Sequence, residues 1–353
     1  MSTVDGTRFR FGVEIEVITG SRENEHMEWY LTADELSDEL AEIKVSNHVV
    51  QNHRKEDEDY TEWSLQQEVT IPNQMMQNKW GLELVSPILD FHTPEVWQAH
   101  IGRVWWVLAN KFNTSTSNKC STHVHISPQA GQWTLSEVRK VAKFAVYFER
   151  SVDSLLPYDR RVNHWCQSNR WNTVLKSQTM EMVFSRIDQA QSIEHVAFMV
   201  CAFSKDSDYG RTLGQAADFI HSPFRWNFSP LKFGGKGTIE FRQPPGSASD
   251  ADTTLWVTFT AAFVQGALKW GDNLKATTPP SLDLFKSVLL GGLLACGVED
   301  MSSLSNLFVG KTQLPAGAYD LQSLSPQELD QMRRKALEKN VTLEKFKKLF
   351  GYK

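Results

Sequence analysis

Four short segments of this chain alternate between apolar and charged residues, and this alternation constrains the fold more than any other feature of the sequence. In the first segment, Phe9 to Val17, every second residue is a large apolar one, a period of two that is typical of a half-buried β-strand. Glu14 and Glu16 lie between those apolar positions and therefore project together from the polar face. By itself, an acidic pair of this kind is most often a solvated strand face.

The other three segments repeat the arrangement with different charges. Their polar faces carry Glu83 in the second segment, His123 and His125 in the third, and Glu240 and Arg242 in the fourth. Each of these has an ordinary interpretation when taken alone: a solvated face, a hydrogen-bonded histidine pair, or a cross-strand ion pair. If the four strands belong to one sheet, however, their shared polar face holds four carboxylates, two imidazoles and one guanidinium.

Such a face has a chemical consequence. Carboxylates that lie close together raise one another's pKa and destabilise the fold unless a cation lies between them. Ligands rich in carboxylate favour Mg²⁺ or Mn²⁺ over Zn²⁺, and Mg²⁺ held in this way usually binds phosphates. An arginine beside the metal supplies a planar fork for phosphate oxygens. The residues alone therefore predict a metal–nucleotide site for phosphoryl transfer.

The composition indicates a packed globular scaffold for this site. The chain has 353 residues, 41% of them hydrophobic and 22% charged, which excludes a mainly disordered protein. The net charge of -5 provides no basic field for nucleic acid or an anionic membrane. No apolar stretch reaches the length of a transmembrane helix, and the first residues lack the apolar segment of a secretory signal. We therefore expect a soluble, cytoplasmic protein with no nucleic-acid or membrane partner.

Cysteine usage agrees with that expectation. The four cysteines are far apart in the sequence and form no CxxC pair. They are too few for a disulfide framework in a chain of this length, so we expect reduced thiols rather than disulfides or a zinc–cysteine site.

We expect two parts. They are a catalytic domain at 1–274, whose extent follows from the family resemblance given below, and a helical extension at 275–353. The tail leaves open a homo-oligomer in which it forms the interface. The expected strands are Trp63–Ile71, Gly81–Pro87, Cys120–Ser127 and Gly237–Gln243, besides the first segment. Two helices are expected with both bounds: Thr32–Ile43, capped by Thr32, and Thr134–Leu156, which begins with a Thr134–Glu137 capping box. Three more are expected from their start signals. One begins at Pro94, one is capped by Asp250 or Asp252 and reaches Trp270, and one begins at Ser325. We expect the charged run 53–59 to be a solvated loop. We expect Arg160 and Arg161 to be surface charges; the alternative is that these two arginines line a pocket for a substrate carboxylate.

The four segments, in their order along the chain, resemble the four blocks of the amidoligase family. That family is related to glutamate–cysteine ligases of the carboxylate–amine ligase type and, more distantly, to glutamine synthetase. The blocks are Phe-Gly-Val-Glu-Ile-Glu (11–16), Leu-Glu-Leu-Val-Ser-Pro (82–87), Ser-Thr-His-Val-His-Ile (121–126) and Gly-Thr-Ile-Glu-Phe-Arg (237–242). A further stretch, 63–70, resembles a block in which a Trp precedes an Asp-Gly-Ser-like turn, but here Glu68-Val-Thr takes the place of that turn. The resemblance covers residues 8 to 272.

The resemblance implies an α+β fold like that of glutamine synthetase, with a curved antiparallel sheet and helices packed on its outer face. It also implies ATP and two or three Mg²⁺ or Mn²⁺ ions as cofactors. The positions that resemble metal ligands are Glu14, Glu16, Glu83, His123 and Glu240. His125 matches a position near the nucleotide phosphates, and Arg242 resembles the arginine that holds the transferring phosphoryl group.

Three further residues are candidates for the site. Asn227 resembles the asparagine that precedes the last block, which implies a place near the cofactor. Lys236 lies in a glycine-rich turn that is either a flexible hairpin or a means of reaching a phosphate. Glu68 is a candidate for the base that takes the proton of the amine, although the departure of its block from the family pattern leaves that role open.

These features together favour an ATP-dependent ligase that joins a small-molecule carboxylate, amino-acid-like by family resemblance, to a small-molecule amine. Phosphorylation by ATP is needed because a carboxylate has no adequate leaving group, whereas an acyl phosphate does. Three alternatives stay open at this point. They are a metal-dependent hydrolase that uses His123 and His125, a phosphotransferase acting on guanidino or similar groups, and a binding protein without catalysis.

Overall fold

An eight-stranded sheet organises the part of the chain that the computed structural model describes, residues 6–50, 60–232 and 234–330. The charged run 53–59 and residues 331–353 of the tail lie outside the described residues. The strands are β1 (Phe9–Thr19), β2 (Asn47–Val49), β3 (Trp63–Gln67), β4 (Trp80–Val85), β5 (Leu89–Asp90), β6 (Thr122–Pro128), β7 (Ala202–Phe203), β8 (Phe219–Ile220), β9 (Trp226–Asn227) and β10 (Ile239–Phe241).

The order across the sheet is β2-β3-β4-β1-β6-β10-β9, and β5 pairs with the first half of β1 beyond the end of β4. Only the β2–β3 pair among these described ladders is parallel; the others are antiparallel. β7 and β8 form a separate two-stranded ladder. The fold is therefore mixed α+β around a mostly antiparallel sheet, as the sequence predicts.

Besides a helical stretch at 326–330, which begins after Ser325 as predicted, the helices of the described chain alternate with the strands or follow them. They are α1 (Trp29–Glu42), α2 (Pro94–Lys111), α3 (Leu135–Tyr147), α4 (Glu149–Leu155), α5 (Tyr158–Arg161), α6 (Met180–Gln189), α7 (Ile193–Val200), α8 (Asp208–Thr212), α9 (Asp250–Trp270), α10 (Leu282–Ala295) and α11 (Ser302–Asn306). No helix in the described ranges is both long and apolar enough to cross a membrane.

One face of the sheet forms the core. The odd-numbered residues of β1 from Phe9 to Val17 are at most 2% exposed, as their alternation predicts. The Trp97 ring of α2 lies edge-on to Phe11, with 5.4 Å between centroids. On the other side of the sheet's centre, the Phe263 ring of α9 stacks on Trp226 at 4.2 Å. Helices thus cover the apolar face at these strands, which leaves the opposite face for the charged residues.

Several predicted boundaries are wrong, and a local contact explains two of them. β3 ends at Gln67 instead of Ile71, since the Glu68 carboxylate accepts a hydrogen bond from the Thr70 N–H and closes a turn. Helix α1 begins at Trp29 instead of Thr32, without a side-chain cap. The α9 cap is the Ser249 hydroxyl, which accepts from the Asp252 N–H.

The helix expected from Thr134 to Leu156 is two helices. Its capping box is confirmed, because the Thr134 hydroxyl accepts from the Glu137 N–H and the Glu137 carboxylate accepts from the Thr134 N–H. Phe148, however, interrupts the run between α3 and α4. Its ring is fully buried and packs against Phe144 and Phe285, so the residue between the two helices contributes an aromatic side chain to the core.

The described part of the C-terminal extension packs directly on the catalytic part. A Cβ atom on Gly292 of α10 would lie 2.1 Å from the Ala262 carbonyl oxygen of α9, and one on Gly266 would lie 2.9 Å from the Val288 carbonyl oxygen. The two helix backbones therefore touch, and Phe285 of α10 belongs to the same buried cluster as the strands. The division of the chain at residue 274 stays a prediction.

We expect Gly292→Ala to lower the free energy of unfolding by about 2 kcal/mol, because a rigid carbonyl group blocks the added methyl group. Gly102→Ala in α2 is the matched control, since the nearest atom to a Cβ there is 4.0 Å away. That control should instead stabilise the protein by about 0.5–1 kcal/mol through helix propensity. Urea unfolding measures both values, and equal effects would contradict the close α9–α10 packing.

The thiols give a second prediction. All four cysteines are free and buried, and burial raises the pKa of Cys120 to about 11 and those of Cys201 and Cys296 to about 12. Because the thiolate is the reactive form, an aromatic disulfide reagent near pH 8 should label the native protein very slowly. In denaturant it should label four thiols per chain; rapid labelling of the native protein would contradict the buried positions.

Candidate functional site

The register of the sheet brings the predicted residues together on its polar face. Residues that lie directly opposite each other on neighbouring strands project to the same side. The opposed pairs are Glu14 with His123, Glu16 with Glu83, and Glu240 with His125. Four strands, β4, β1, β6 and β10, therefore contribute side chains to one surface.

Glu14 lies at the centre of these contacts. One of its carboxylate oxygens is 3.0 Å from Nδ1 of His123, and the other is 3.1 Å from Nε2 of His125. Glu240 approaches the same two rings, with Oε1 3.8 Å from His123 Nδ1 and 3.6 Å from His125 Nε2. Since Glu240 is only 2% exposed, this part of the face is shielded from water.

The carboxylates and imidazoles form three groups in the described chain, and within each group the potential ligand atoms lie within 4.8 Å of one another. The groups are Glu14–Glu83–His123, Glu14–His125–Glu240 and Glu16–Glu68–Glu83. Carboxylate oxygens dominate all three, which is the donor set that hard divalent cations prefer. The donor set of these residues therefore fits a hard divalent cation.

Burial and like charge oppose the ionised form of this cluster. Burial raises the pKa of Glu16 well above its usual value, and the neighbouring Glu68 and Glu83 carboxylates raise it further. Arg242 and Arg160 offset only part of that effect. A divalent cation placed among these carboxylates would remove the repulsion, which is the electrostatic reason for proposing a metal here.

The two histidines differ in their electrostatics. Burial lowers the pKa of His123, and Arg242 lowers it further, so its neutral, metal-binding form is favoured. For His125, burial also acts to lower the pKa, but the Glu240 and Glu14 carboxylates outweigh it and raise the pKa. His125 is therefore the more readily protonated of the two, which suits a contact to an anionic phosphate better than one to a metal.

Arg242 and Asn227 both hold Glu240. The Arg242 guanidinium donates to Glu240 Oε1, and the carboxylates Glu240, Glu14 and Glu16 outweigh burial and raise the pKa of Arg242, so it stays charged. Its Nε atom is buried without a hydrogen-bond partner among the described residues. Asn227 donates to Glu240 Oε2 at 2.6 Å and accepts from the Ser229 N–H at 2.8 Å, so both ends of its amide serve the protein. Its predicted contact to a cofactor stays a prediction.

Lys236 and Glu68 reach the site from turns. Lys236 is exposed, and its ammonium group lies 4.3 Å from the centre of the Tyr60 ring. The flanking Gly234 and Gly237 have positive φ values of 73° and 70°, which a side chain would disfavour. Glu68 is half-buried, and its position in the turn after β3 lets it join Glu16 and Glu83.

Gln66 and Ser121 are site residues that sequence reasoning missed. Gln66 lies opposite Glu83 and donates to its carboxylate, while its own Oε1 is buried without a hydrogen-bond partner among the described residues. The Ser121 N–H donates to Glu16 Oε2 at 2.7 Å. The alternation of side chains along β3 could have indicated Gln66. Gln66 and Ser64 project from the same face of β3, and they lie opposite Glu83 and Val85, which share one face of β4.

The prediction that Arg160 is a surface charge is wrong. Its side chain is buried, with 1% of its surface exposed. Its guanidinium donates to the Gln243 carbonyl at 3.0 Å, the Arg242 carbonyl at 3.0 Å and the Ser121 hydroxyl at 2.7 Å. One buried side chain thus joins the end of β10 to the start of β6. Arg161, by contrast, donates to a single acceptor among the described residues, the Leu156 carbonyl.

A second buried group of charged residues contacts the start of β9 and the end of β10. Arg225 lies just before β9, and its Nη1 atom is 3.0 Å from Glu149 Oε1 and 3.2 Å from Asp153 Oδ2. Asp153 also accepts from the Gln243 side chain at 2.7 Å. Glu149 and Asp153 belong to α4, so this helix holds Arg225, two residues before Asn227, and Gln243, the residue after Arg242.

Comparison with known proteins agrees with the geometry. Residues 7–264 match the model of the family described as "Putative amidoligase enzyme". The chain belongs to this family. The resemblance that the four blocks indicated is therefore confirmed, and the C-terminal extension lies beyond the matched residues. Family membership supports a ligase in general terms.

Other comparisons add less to the description of this amidoligase. A solved structure described as "Apo GmaS without ligand" is 10% identical and aligns over 96% of this chain and 70% of that chain, with a TM-score of 0.32. At that score the curvature of the sheet stays a prediction. No curated protein matches the chain.

The buried position of Arg160 generates a stability prediction. Arg160→Met should lower the free energy of unfolding by about 3 kcal/mol, because three buried acceptors lose their donor. Arg161→Met is the matched control, and it should cost about 1 kcal/mol, since it removes bonds to a single carbonyl. Urea unfolding compares them, and a loss no larger for Arg160 than for Arg161 would contradict the bridging role.

Proposed function

We propose that this amidoligase is an ATP-dependent ligase that forms an amide bond between a carboxylate and an amine through an acyl phosphate, with Mg²⁺ or Mn²⁺ as cofactor. The observation that supports this most directly is the meeting of three carboxylate-rich ligand groups on one buried face. Two or three ions would be held there by Glu14, Glu16, Glu83, His123 and Glu240, which are the residues that the family resemblance assigns.

The chemistry proceeds in two balanced steps. An oxygen of the substrate carboxylate attacks the γ-phosphorus of ATP, and the bond to the bridging oxygen breaks, so the products are the acyl phosphate and ADP. The nitrogen of the amine, having lost a proton to a base, then attacks the acyl carbon. The carbon–oxygen bond breaks, phosphate leaves with that electron pair, and a second proton departs as the amide forms. The bound cations would neutralise phosphate charge in both steps.

The side chains have separate tasks in this proposal. Arg242, charged and with an unpartnered buried Nε, would hold the transferring phosphoryl group. His125 and Lys236 would contact the nucleotide phosphates, which agrees with the raised pKa of His125. Glu68 is the candidate base, since it is the carboxylate of the cluster that comes from a turn and is only half-buried.

The arrangement favours a ligase over a zinc hydrolase. A hydrolase that uses His123 and His125 needs both rings on one ion. In the described chain the two rings fall in different ligand groups, each with two carboxylates. No observation specifically favours a guanidino phosphotransferase.

Hydroxylamine trapping tests the proposal without knowledge of the amine. Hydroxylamine is a small nucleophile that converts an acyl phosphate to a hydroxamate. Incubation with ATP, Mg²⁺, hydroxylamine and a panel of amino acids and other carboxylates should give hydroxamate and ADP in equal amounts with at least one carboxylate. An absence of hydroxamate across the panel, together with no nucleotide binding by calorimetry, would contradict the ligase function.

Glu14→Gln should reduce hydroxamate formation by about 100-fold or more, because Glu14 belongs to two of the three ligand groups. The exposed Glu299→Gln is the matched control and should keep full activity. Circular dichroism should be unchanged in both variants. Retained activity in Glu14→Gln would remove Glu14 from the proposed metal site.

A further inference from the structure

Gly12 leaves an open patch on the polar face of the sheet. It lies within β1, directly opposite His125 of β6, and the alternation of the strand places it on the same face as Glu14. Apart from its neighbours in the chain, a Cβ atom at Gly12 would have one described atom within 4 Å, the Ser86 hydroxyl oxygen at 3.8 Å. A methyl group would therefore fit here without a clash with the described residues.

Most glycines of the described chain differ from Gly12 in this respect. Outside the positive-φ region, every other described glycine except Gly102 would place a Cβ atom within 3.0 Å of another residue. Packing explains those glycines, because a side chain would collide with its surroundings. Gly12 has neither reason to be a glycine, since its φ is not positive and the space beside it is open.

A glycine of this kind needs another explanation. Glycine weakens a strand, because it has the greatest backbone freedom in the unfolded chain and offers no side chain for packing across the sheet. A strand glycine that is not needed for packing marks a place where a ligand or another backbone comes close to the main chain. No described backbone occupies the space beside Gly12, so the patch is suited to a ligand.

The patch borders the proposed metal site. His125, opposite Gly12, belongs to the Glu14–His125–Glu240 group. Successive residues on one face of a strand are about 7 Å apart, so Gly12 is one such step from Glu14. Glu14 is buried, Gly12 is half-buried, and Arg10, the next residue on this face, is exposed. The polar face therefore opens to solvent from Gly12 toward Arg10.

Two cationic side chains lie around the patch. Arg10 projects from the same face of β1, and its guanidinium has no ion pair within the described chain. Lys236 comes from the glycine-rich turn that leads to Thr238, whose hydroxyl oxygen is 3.0 Å from Nδ1 of His125. Positive charge is therefore available on the solvent side of Gly12, away from the carboxylates.

Three carboxylates oppose these cations. Glu14 and Glu240 lie on the inner side of the patch, where the proposed ions would offset their charge. Asp90 of β5 lies opposite Arg10, but its Oδ2 atom is also 3.8 Å from the Arg8 guanidinium, so two arginines share one acid there. With ions bound at the inner carboxylates, the surroundings of the patch favour an anionic group.

We propose that an anionic group of a reactant lies directly on the β1 backbone at Gly12, and that Arg10 binds its charge from the solvent side. The group is a phosphate of the nucleotide or the carboxylate of the other substrate, since both have oxygens that a guanidinium recognises. The inference rests on the proposed ligase function and adds two residues to its site. Any side chain at position 12 would take the space of that group.

Gly12→Ala tests the patch, because the protein without ligand has room for the methyl group. Its melting temperature should be at or above the wild-type value, since alanine restricts the unfolded chain. Ligand binding should weaken instead. Gly102→Ala, an equally open glycine on α2, is the matched control and should bind ligands as wild type does.

Two readouts identify the anion. The first is calorimetry with Mg²⁺ and an ATP analogue that has nitrogen in place of the β–γ bridging oxygen. If a phosphate occupies the patch, the Kd of this analogue should rise about tenfold or more in Gly12→Ala, and further in Gly12→Val. If the substrate carboxylate occupies it, that Kd should stay unchanged. The carboxylate concentration for half-maximal hydroxamate formation, which is the second readout, should then rise by the same factor.

Two results would overturn the contact at Gly12. One is that neither constant changes in Gly12→Ala and Gly12→Val. The other is a fall of several degrees in the melting temperature of Gly12→Ala, which would mean that packing requires the glycine after all.

Arg10→Gln tests the charge separately. It should raise the constant that Gly12→Ala raises by about threefold to tenfold, because the anion loses a charged hydrogen-bond donor. Arg8→Gln removes the same charge from a side chain that already lies beside Asp90, so it should change that constant by less than about twofold. Equal effects of the two changes would mean that only the overall charge matters, and would remove Arg10 from the site.

The failures of the two proposals can be told apart. If wild-type protein binds no nucleotide and forms no hydroxamate with any carboxylate, the ligase function has failed and the inference about Gly12 falls with it. If wild-type protein does both and the Gly12 variants match it, the ligase function stands and the contact at Gly12 is wrong.

Discussion

Burial of mutually repelling carboxylates on one face of a sheet is the constraint on which the rest of the structure depends. Glu16, Glu83 and Glu240 are buried and close to other acidic groups, a placement that is costly unless opposite charge is supplied. The protein supplies some of it through Arg242, and neutral donors such as Gln66 bind individual oxygens. The proposed cations would offset the remaining negative charge. The same ions would then both stabilise the buried carboxylates and take part in the proposed chemistry.

The framework behind this face is correspondingly rigid. Arg160 donates to the backbone carbonyls of Arg242 and Gln243, and Asp153 accepts from the Gln243 side chain, so Arg242 is held through its own backbone and its neighbour. The apolar side of the same strands stacks on α9, and α9 in turn touches α10 at Gly292. Strand, helix and extension are therefore continuous in packing, and the described part of the extension shares one buried core with the strands that carry the site.

This continuity separates what the family supplies from what this chain adds. The matched residues 7–264 contain every carboxylate and histidine of the three ligand groups. The described part of the extension contributes none of them. The proposed reaction chemistry would then reside in the part of the chain that the family model matches.

The sequence by itself determined which residues share a face, because the two-residue repeat of a strand is a local property. That repeat, with the order of the four blocks, predicted the sheet, its apolar side and the meeting of Glu14, His123 and Glu240. Only the tertiary structure decided the register that sets Glu16 opposite Glu83, the burial of Arg160, and the approach of the extension. Register and burial depend on partners far away in the chain, so no local pattern encodes them.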